Sequence, residues 1–546
     1  MKNLRRITSL LLMAVMVAGM LVVPGGNVQA AKKKKVQLNK KTVTLEVGKK
    51  VTLKLENAPK KKKITWSSNK KKIATVSKKG VVTAEKAGKA NITAKVNGKK
   101  YVCKVTVKNK KKVNKTTEAT TQQSTTQETP APEKPTNPDT PSNPTTPSNP
   151  TTPSNPGQPK NPGDVSALEK IIKEQNSKGA KLPTDLNAQY TVSYVDGDEY
   201  LVGVGYQWDE NGRLIGICWS NCSMSGSLDL SELTALTKLD CSWNQLSSLD
   251  VSKNTALTYL NCRLNQLSSL DVSGATALTE LYCYSNNLSS LDVSKNTALT
   301  DLDCSENQLS SLDVSKNTAL TDLDCSENQL SSLDVSKNTA LTDLTCYSNQ
   351  LSSLDVSKNT ALTDLTCYSN PLSSLDVRQN TALTELDCSC NQLSSLDVSN
   401  NTALKDLLCG YNQLSSLDVS NNTALTELYC RENQLSSLDV SKNTALKWLN
   451  CEGNQLSSLD VSKNTALESL RCSENQLSSL DVSKNTALTK LYCNSNQLSS
   501  LDVSKNTELT ELDCSKNQLK SLDVSNNTAL EDLSCDDNVQ VTGWPR

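Results

Sequence analysis

Between residues 236 and 538 the apolar positions obey one rule, LxxLxCxxNxLSSLDVSxNTA, which returns every 21 residues. The stretch LTKLDCSWNQLSSLDVSKNTA, residues 236 to 256, sets it out in full. In LxC two apolar side chains stand two apart, so on a strand both face inward while their neighbours face outward. LDV repeats the alternation on a return path, burying leucine and valine and exposing aspartate. A fixed period of this length marks a solenoid, whose coils bury their core only against one another. The pattern therefore predicts coils stacked in step, each giving one parallel strand to a concave sheet. The cysteine holds register from Cys241 to Cys535, and an asparagine three residues on does so from Asn244 to Asn538. That asparagine is placed to bond the backbone that turns away from each strand, whose polar groups would otherwise be buried unpaired.

LxxLxCxxNxL resembles the leucine-rich repeat, with cysteine where that family usually has a third leucine, over roughly residues 214 to 540. It is similar in particular to the internalin-like repeat proteins exported by Gram-positive bacteria. The resemblance implies a curved solenoid whose parallel strands line a partner-binding concave face.

The earlier chain is patterned differently. Residues 36 to 108 alternate in short runs (VTLEV, VTLKL, ITWSS, IATVS, GVVTA, ANITAKV, YVCKVTV) parted by Lys, Asn, Pro and Gly, the spacing of a small β-sandwich. The string from VGKKVTLKL to ANITAKV resembles the bacterial group-2 immunoglobulin-like domain. Trp66, Ser67, Ser68, Gly80, Ala84 and Gly88 fall where that family's motif puts them. Cys103 shares a face with Val105 and Val107 and reads as core. Residues 1–30 have a basic head, an apolar run and a small-residue end at Val28-Gln29-Ala30, the signature of a secretory signal. Residues 109–163 are rich in Thr, Pro, Ser and Asn and bury nothing, which predicts a disordered, semi-rigid linker. In residues 164–213, Ser166-Ala-Leu-Glu169 reads as a capping box opening a helix, followed by strands in YTVSYV and YLVGVGYQW, together a cap for the solenoid's first coil. The fold class is mostly β: a signal peptide (1–30), a lysine-rich Ig-like β-sandwich (31–108), a linker (109–163), a cap (164–213) and a leucine-rich repeat solenoid of 21-residue coils (214–546).

Charge changes the picture. Residues 31 to 115 hold 29 lysines, no arginine and 3 glutamates, about +26, whereas the chain as a whole is formally +2. A basic head therefore precedes an acidic body. Export, the absence of arginine in that head and the scarcity of aromatics there argue against nucleic acid. Contact with an anionic cell-wall polymer is the partner such a field suggests, beside a merely solvated surface. Past the signal no stretch approaches 18 apolar residues, so no transmembrane segment is expected in the mature chain.

Nineteen cysteines in an exported chain usually mean disulfides. Here fifteen occur one per coil at an inward position, stacked in parallel, and read as small free hydrophobes. Cys218 and Cys222 stand close enough in sequence to bridge. With no histidine and no CxxC pair, neither a metal nor another cofactor is expected. The absence of histidine also removes histidine-assisted nucleophiles, and the repeated carboxylates single out no pair, so no enzymatic activity is expected. Unprotected thiols outside a cell would fit an anaerobic bacterium.

The third, fifth, seventh and eighth positions of each coil vary while the others hardly change, and every aromatic of the regular array falls on them. Exposed Tyr, Trp and Arg are what interfaces and sugar-stacking platforms use. The candidate ligand-binding residues on the concave face are Trp243, Tyr259, Tyr282, Tyr284, Tyr347, Tyr368, Tyr411, Tyr429, Arg431, Trp448, Arg471 and Tyr492. Beside them runs an acidic field, with Asp301, Asp322, Asp343 and Asp364 in one column and Asp303, Asp324 and Asp387 in another. The expected function is a secreted or cell-wall-associated binding protein, adhesin-like, that captures a protein or glycan on host or neighbouring cells. The alternative is a structural envelope component without a specific ligand.

Overall fold

The structure, a computed structural model, describes residues 37–38, 42–47, 49–56, 64–78, 80–96, 99–108, 159–195 and 198–544. The secretory signal and nearly all of the linker expected from the sequence lie outside these residues. The chain divides into two compact units, Met1–Thr146 and Pro147–Arg546.

In the first unit, alternation of buried and exposed residues makes each strand one-sided. A four-stranded sheet runs in the order Thr42–Glu46, Lys99–Lys108, Gly88–Val96, Thr65–Ser68, its first pair parallel and the others antiparallel. A three-stranded sheet of Lys50–Thr52, Val81–Ala84 and Ala74–Val76 packs with it around Leu53, Val82, Ile92, Ala94, Cys103 and Val105, all almost fully buried. Gly80 takes a left-handed φ of 85°, and a Cβ there would lie 2.3 Å from the Leu53 carbonyl oxygen and 3.0 Å from the Trp66 ring. Only glycine lets the backbone pass beneath that ring.

In the second unit the helix spans Pro162–Ser177 and starts four residues before the capping box expected at Ser166. Asn161 caps it instead, accepting from the backbone N–H of Gly163 and Asp164, and Pro162 supplies a φ already set for the first turn. Asp164 is buried against Arg213, accepting from its Nε at 2.7 Å and from the Leu214 N–H at 2.9 Å, which ties the helix to the first strands of the solenoid. YLVGVGYQW divides into two strands, Asp198–Val202 and Gly205–Trp208, because Gly203 turns the chain with φ 104°.

Gly205–Trp208 pairs antiparallel with Leu214–Cys218, and from there every strand is parallel to the last, making a 17-stranded sheet that ends at Asp532–Ser534. Register advances 21 residues per strand, as in Asp301↔Asp322 and Leu302↔Leu323. We number each coil from its first leucine: Leu236, Leu257 and so on. The leucines at positions 1, 4, 11 and 14, the cysteine at 6 and the valine at 16 form one continuous core; in the coil from Leu320 they are Leu320, Leu323, Leu330, Leu333, Cys325 and Val335.

Two asparagine ladders sew the coils together. At position 9, Asn328 donates to the carbonyls of Cys304, Cys325 and Ser326 and accepts from the Leu309 N–H, so one side chain satisfies four backbone groups. At position 19, Asn338 donates to Val314 and Asn317 of the coil before, while among the described residues its Oδ1 finds no partner. Ala275 stands in that column once. A third recurrent device is the aspartate at position 15, whose Oδ1 accepts from the backbone N–H two residues on, as Asp313 does from Ser315 at 2.9 Å. This is an Asx turn, and it holds the Asp313 carboxyl below its ordinary range through the Ser315 backbone and side-chain donors.

All nineteen cysteines are free thiols, Cys218 and Cys222 included. Cys390 and Cys535 are half-buried and the rest buried. Burial pushes the ladder thiols up, Cys262 and Cys430 to about 12, so they are protonated and poor nucleophiles. Thiols shielded in this way resist oxidation in an aerated medium, which takes away the reason for expecting an anaerobic source.

Candidate binding surface

Alternation in each strand turns positions 3, 5 and 7 onto the concave face, and successive coils lie only about 4.8 Å apart. Crowding at that spacing decides how much of each side chain remains available. Tyr259, Tyr282 and Tyr368 are only 2, 6 and 1 % exposed. Tyr284, Tyr347, Tyr429, Arg431, Trp448, Arg471 and Tyr492 are half-exposed at these positions. Trp243 and Tyr411 occupy position 8, where Trp243 is 55 % exposed and Tyr411 half-exposed.

Ten of the twelve expected site residues, all but Trp243 and Tyr429, fall into three groups. Near the start of the solenoid the rings of Tyr259 and Tyr282 meet at 5.8 Å, and the Arg263 guanidinium lies 5.4 Å from the Tyr284 ring. The Tyr282 hydroxyl donates to Asp301 Oδ2 at 2.7 Å, which fixes the ring against the face instead of leaving it upright. In the middle, Tyr347 and Tyr368 stack. Toward the C-terminal end Arg431 packs over Tyr411 at 4.7 Å, Arg471 over Tyr492 at 4.3 Å and Lys447 over Trp448 at 5.8 Å. Tyr492 also donates to Glu511, which Lys490 meets at 2.9 Å. Each cation is held in place by a ring, so its remaining donors are oriented before any ligand arrives.

Lys447 was not among the expected residues. It replaces the threonine usual at position 2, and that departure from the repeat is the signal that would have found it. Position 8 hid a further feature: its residue is left-handed in coil after coil, with φ from 50 to 57° at the non-glycine residues between Trp243 and Lys516, yet glycine appears there once, at Gly453 with φ 66°. The Glu432 carboxylate leans over Gly453, where an added Cβ would lie 2.7 Å from it.

The acidic field is longer than its aspartates suggested. Position 3 carries a carboxylate in eight consecutive coils, Glu280, Asp301, Asp322, Asp343, Asp364, Glu385, Asp406 and Glu427, each directly opposite the next. Beside it, burial raises the carboxyl of Glu327, with the Glu306 charge adding to the effect. Asp303, Asp324 and Asp387 at position 5 are buried and cap local backbone, accepting from Ser305, Ser326 and Ser389 N–H. Burial drives Asp387 up to about 6. Among the described residues no group of three His, Cys, Asp or Glu side chains is arranged to hold a metal ion. No helix there is long and apolar enough to cross a membrane.

The bacterial Ig-like domain (group 2) matches residues 33–107. No curated protein matches the chain. Among solved structures, the functional domain of InlJ from Listeria monocytogenes, which includes a cysteine ladder, is 42 % identical, with a TM-score of 0.57 over 58 % of this chain and 71 % of that one. The Leptospira interrogans LRR protein LIC12759 shares the fold at 24 % identity and a TM-score of 0.54, over 60 % of this chain and 90 % of that one. The plant peptide hormone receptor RGFR1, solved in complex with RGF2, is 25 % identical with a TM-score of 0.52, over 61 % of this chain and 60 % of that one.

Proposed function

This chain belongs to the internalin-like leucine-rich repeat proteins with an N-terminal bacterial Ig-like domain, and we propose that it is an exported binding protein that captures a protein or glycan ligand on its concave face. The observation that carries this reading is the division of labour within each coil. Cores, both asparagine ladders and the Asx turns repeat almost unchanged, while positions 3, 5, 7 and 8 change chemistry from coil to coil. A fold that needs nothing particular at those positions has placed Tyr, Trp and Arg there, pre-stacked. The RGFR1 complex supports the reading, being a peptide held by a solenoid of the same fold. The lysine-rich unit then serves as the contact with anionic polymers of the cell envelope, and the activity is binding without catalysis.

The test uses Tyr411, Arg431, Trp448 and Arg471, which keep accessible surface, and avoids Tyr368, whose loss would disturb packing. The purified chain and its quadruple alanine variant are applied to a glycan array and to a panel of purified host and bacterial surface proteins. A ligand retained by the chain and lost by the variant at unchanged thermal midpoint supports the proposal. A chain that retains none, or a variant that retains the same ligand, overturns it.

A further inference from the structure

Two surfaces of this chain carry like charges in register. On the concave sheet, the eight opposed carboxylates from Glu280 to Glu427 stand in register. Like charges directly opposite one another destabilise a sheet. The fold does not ask for them: the same position holds Lys238, Trp448, Ser469 and Lys490 in other coils. From Leu278 to Asn391 no lysine or arginine occupies any outward position; the cations of those coils, Lys295, Lys316, Lys337, Lys358 and Arg378, stand at position 17 or 18, beyond the return path.

The second surface is on the lysine-rich unit. In its four-stranded sheet Ala90, Ile92, Ala94, Cys103, Val105 and Val107 point into the core, so the alternate residues Lys89, Lys95, Lys104 and Lys108 share the exposed face. Lys100 joins them directly opposite Lys95, again like against like. All fourteen lysines whose exposure the structure describes in this unit are exposed. The two faces match in extent: Asp406 is buried and accepts from Thr426, so the accessible column runs five steps of about 4.8 Å from Glu280 to Glu385, about 24 Å, and the strand from Lys100 to Lys108 spans about 26 Å at roughly 3.3 Å per residue.

We propose that the acidic column of one copy receives the lysine face of the Ig-like unit of a second copy, so that the chain self-associates head to body. This goes beyond ligand capture at the aromatic and arginine positions and does not depend on it, and it gives the lysine face a protein partner that competes with the envelope polymers for the same side chains. The contact is heterologous, joining unlike surfaces, so each pair leaves one of each unfilled and assembly continues with concentration. Salt weakens it, because the screening length falls from about 30 Å at 0.01 M to a few ångström near 0.5 M.

Sedimentation velocity of the full chain across concentrations, in about 0.02 M and about 0.5 M salt, tests the proposal. Two variants are compared: one with D322N, D343N, D364N and E385Q, the other with K89E, K95E, K104E and K108E. Circular dichroism checks that each is folded, and the salt series on the unaltered chain stands even where a variant is not. The expected result is a mass rising above the monomer's 59.1 kDa at low salt and returning to it at high salt. Each variant alone is expected to stay monomeric, and a one-to-one mixture to associate, since one supplies an intact acidic column and the other an intact lysine face. A monomer at every concentration in low salt overturns the proposal, as does compaction without a rise in mass, which would place the contact within one chain. Association equally lost on neutralising Glu432, Glu452, Glu474 and Glu508 would reduce it to a net-charge effect. None of these readings involves a ligand, so they leave the capture experiment undecided in either direction.

Discussion

The rings of Tyr347 and Tyr368 lie face to face, with centroids 4.4 Å apart and planes 7° from parallel. Tyr368 is thereby roofed by the coil before it, and Tyr347 reaches Glu327 Oε1 at 3.4 Å. Stacked pairs contribute about 0.5–1.5 kcal/mol beyond area burial. A double-mutant cycle with Tyr347→Ala and Tyr368→Ala, read by urea denaturation, is expected to give a coupling of about 1 kcal/mol. A coupling near zero would mean the rings merely tile the sheet.

The two asparagine ladders are expected to differ in cost. Asn328→Ala removes four bonds and leaves the buried Leu309 N–H without its acceptor, while the carbonyls of Cys304, Cys325 and Ser326 keep Asn307, Asn349 and the Glu306 N–H as donors, so it should lower stability by about 1–3 kcal/mol. Asn338→Ala removes two bonds from a side chain whose oxygen is unpartnered, at a position where Ala275 already occurs, and should cost about half as much. Denaturant midpoints of the two variants settle the order.

Position 8 offers changes of both signs. Ser348 sits at φ 50° with a buried hydroxyl that has no partner among the described residues, so Ser348→Gly relieves left-handed strain and is expected to stabilise by about 1 kcal/mol. Gly453→Ala is expected to destabilise, since its Cβ would meet the Glu432 carboxylate while the backbone stays at φ 66°. Thermal midpoints measured side by side give the two signs directly.

Acid acts through two sets of aspartates in opposite directions. Asp387, at about 6 when folded against roughly 3.9 unfolded, binds its proton more tightly in the native state. Its penalty is absent below about pH 4 and grows to about 3 kcal/mol as pH rises past 6. Asp387→Asn should therefore be the more stable form at pH 7 and lose that advantage toward pH 4. The position-15 row, depressed by its serine donors, contributes stability above the unfolded carboxylate pKa and loses it as pH falls below. Stability against pH, measured for the chain and Asp387→Asn, should converge near pH 4 and drop together below it.

Native thiol titration with a disulfide dye is expected to label Cys390 and Cys535 and to leave the buried ladder unreacted until denaturant is added, when all nineteen react. Rapid labelling of Cys325 or Cys346 in the native chain would contradict the stacking of the coils.

How far the sequence could be read follows from which interactions are periodic. Inward cysteines, the asparagine at position 9 and the aspartate at position 15 all announce themselves because each does the same thing in every coil. The asparagine at position 19 repeats as faithfully but sits between turns, where its partners belong to the preceding coil and no local pattern reveals them. Position 8 is left-handed without the glycine that normally signals it. Outwardness at positions 3, 5 and 7 was legible, but accessibility was not: whether Tyr368 is free or roofed depends on Tyr347, one coil away. Similarly the helix cap moved to Asn161 because Pro162 and the buried Asp164–Arg213 pair outweigh the local signature at Ser166.

Every bond of the position-9 ladder reaches no farther than the adjoining coil. Excising or duplicating one block of 21 residues would thus rejoin equivalent partners on either side of the cut. Copy number then works as a ruler: it sets the distance between the Tyr259–Tyr282 pair and the arginine–aromatic end without altering either.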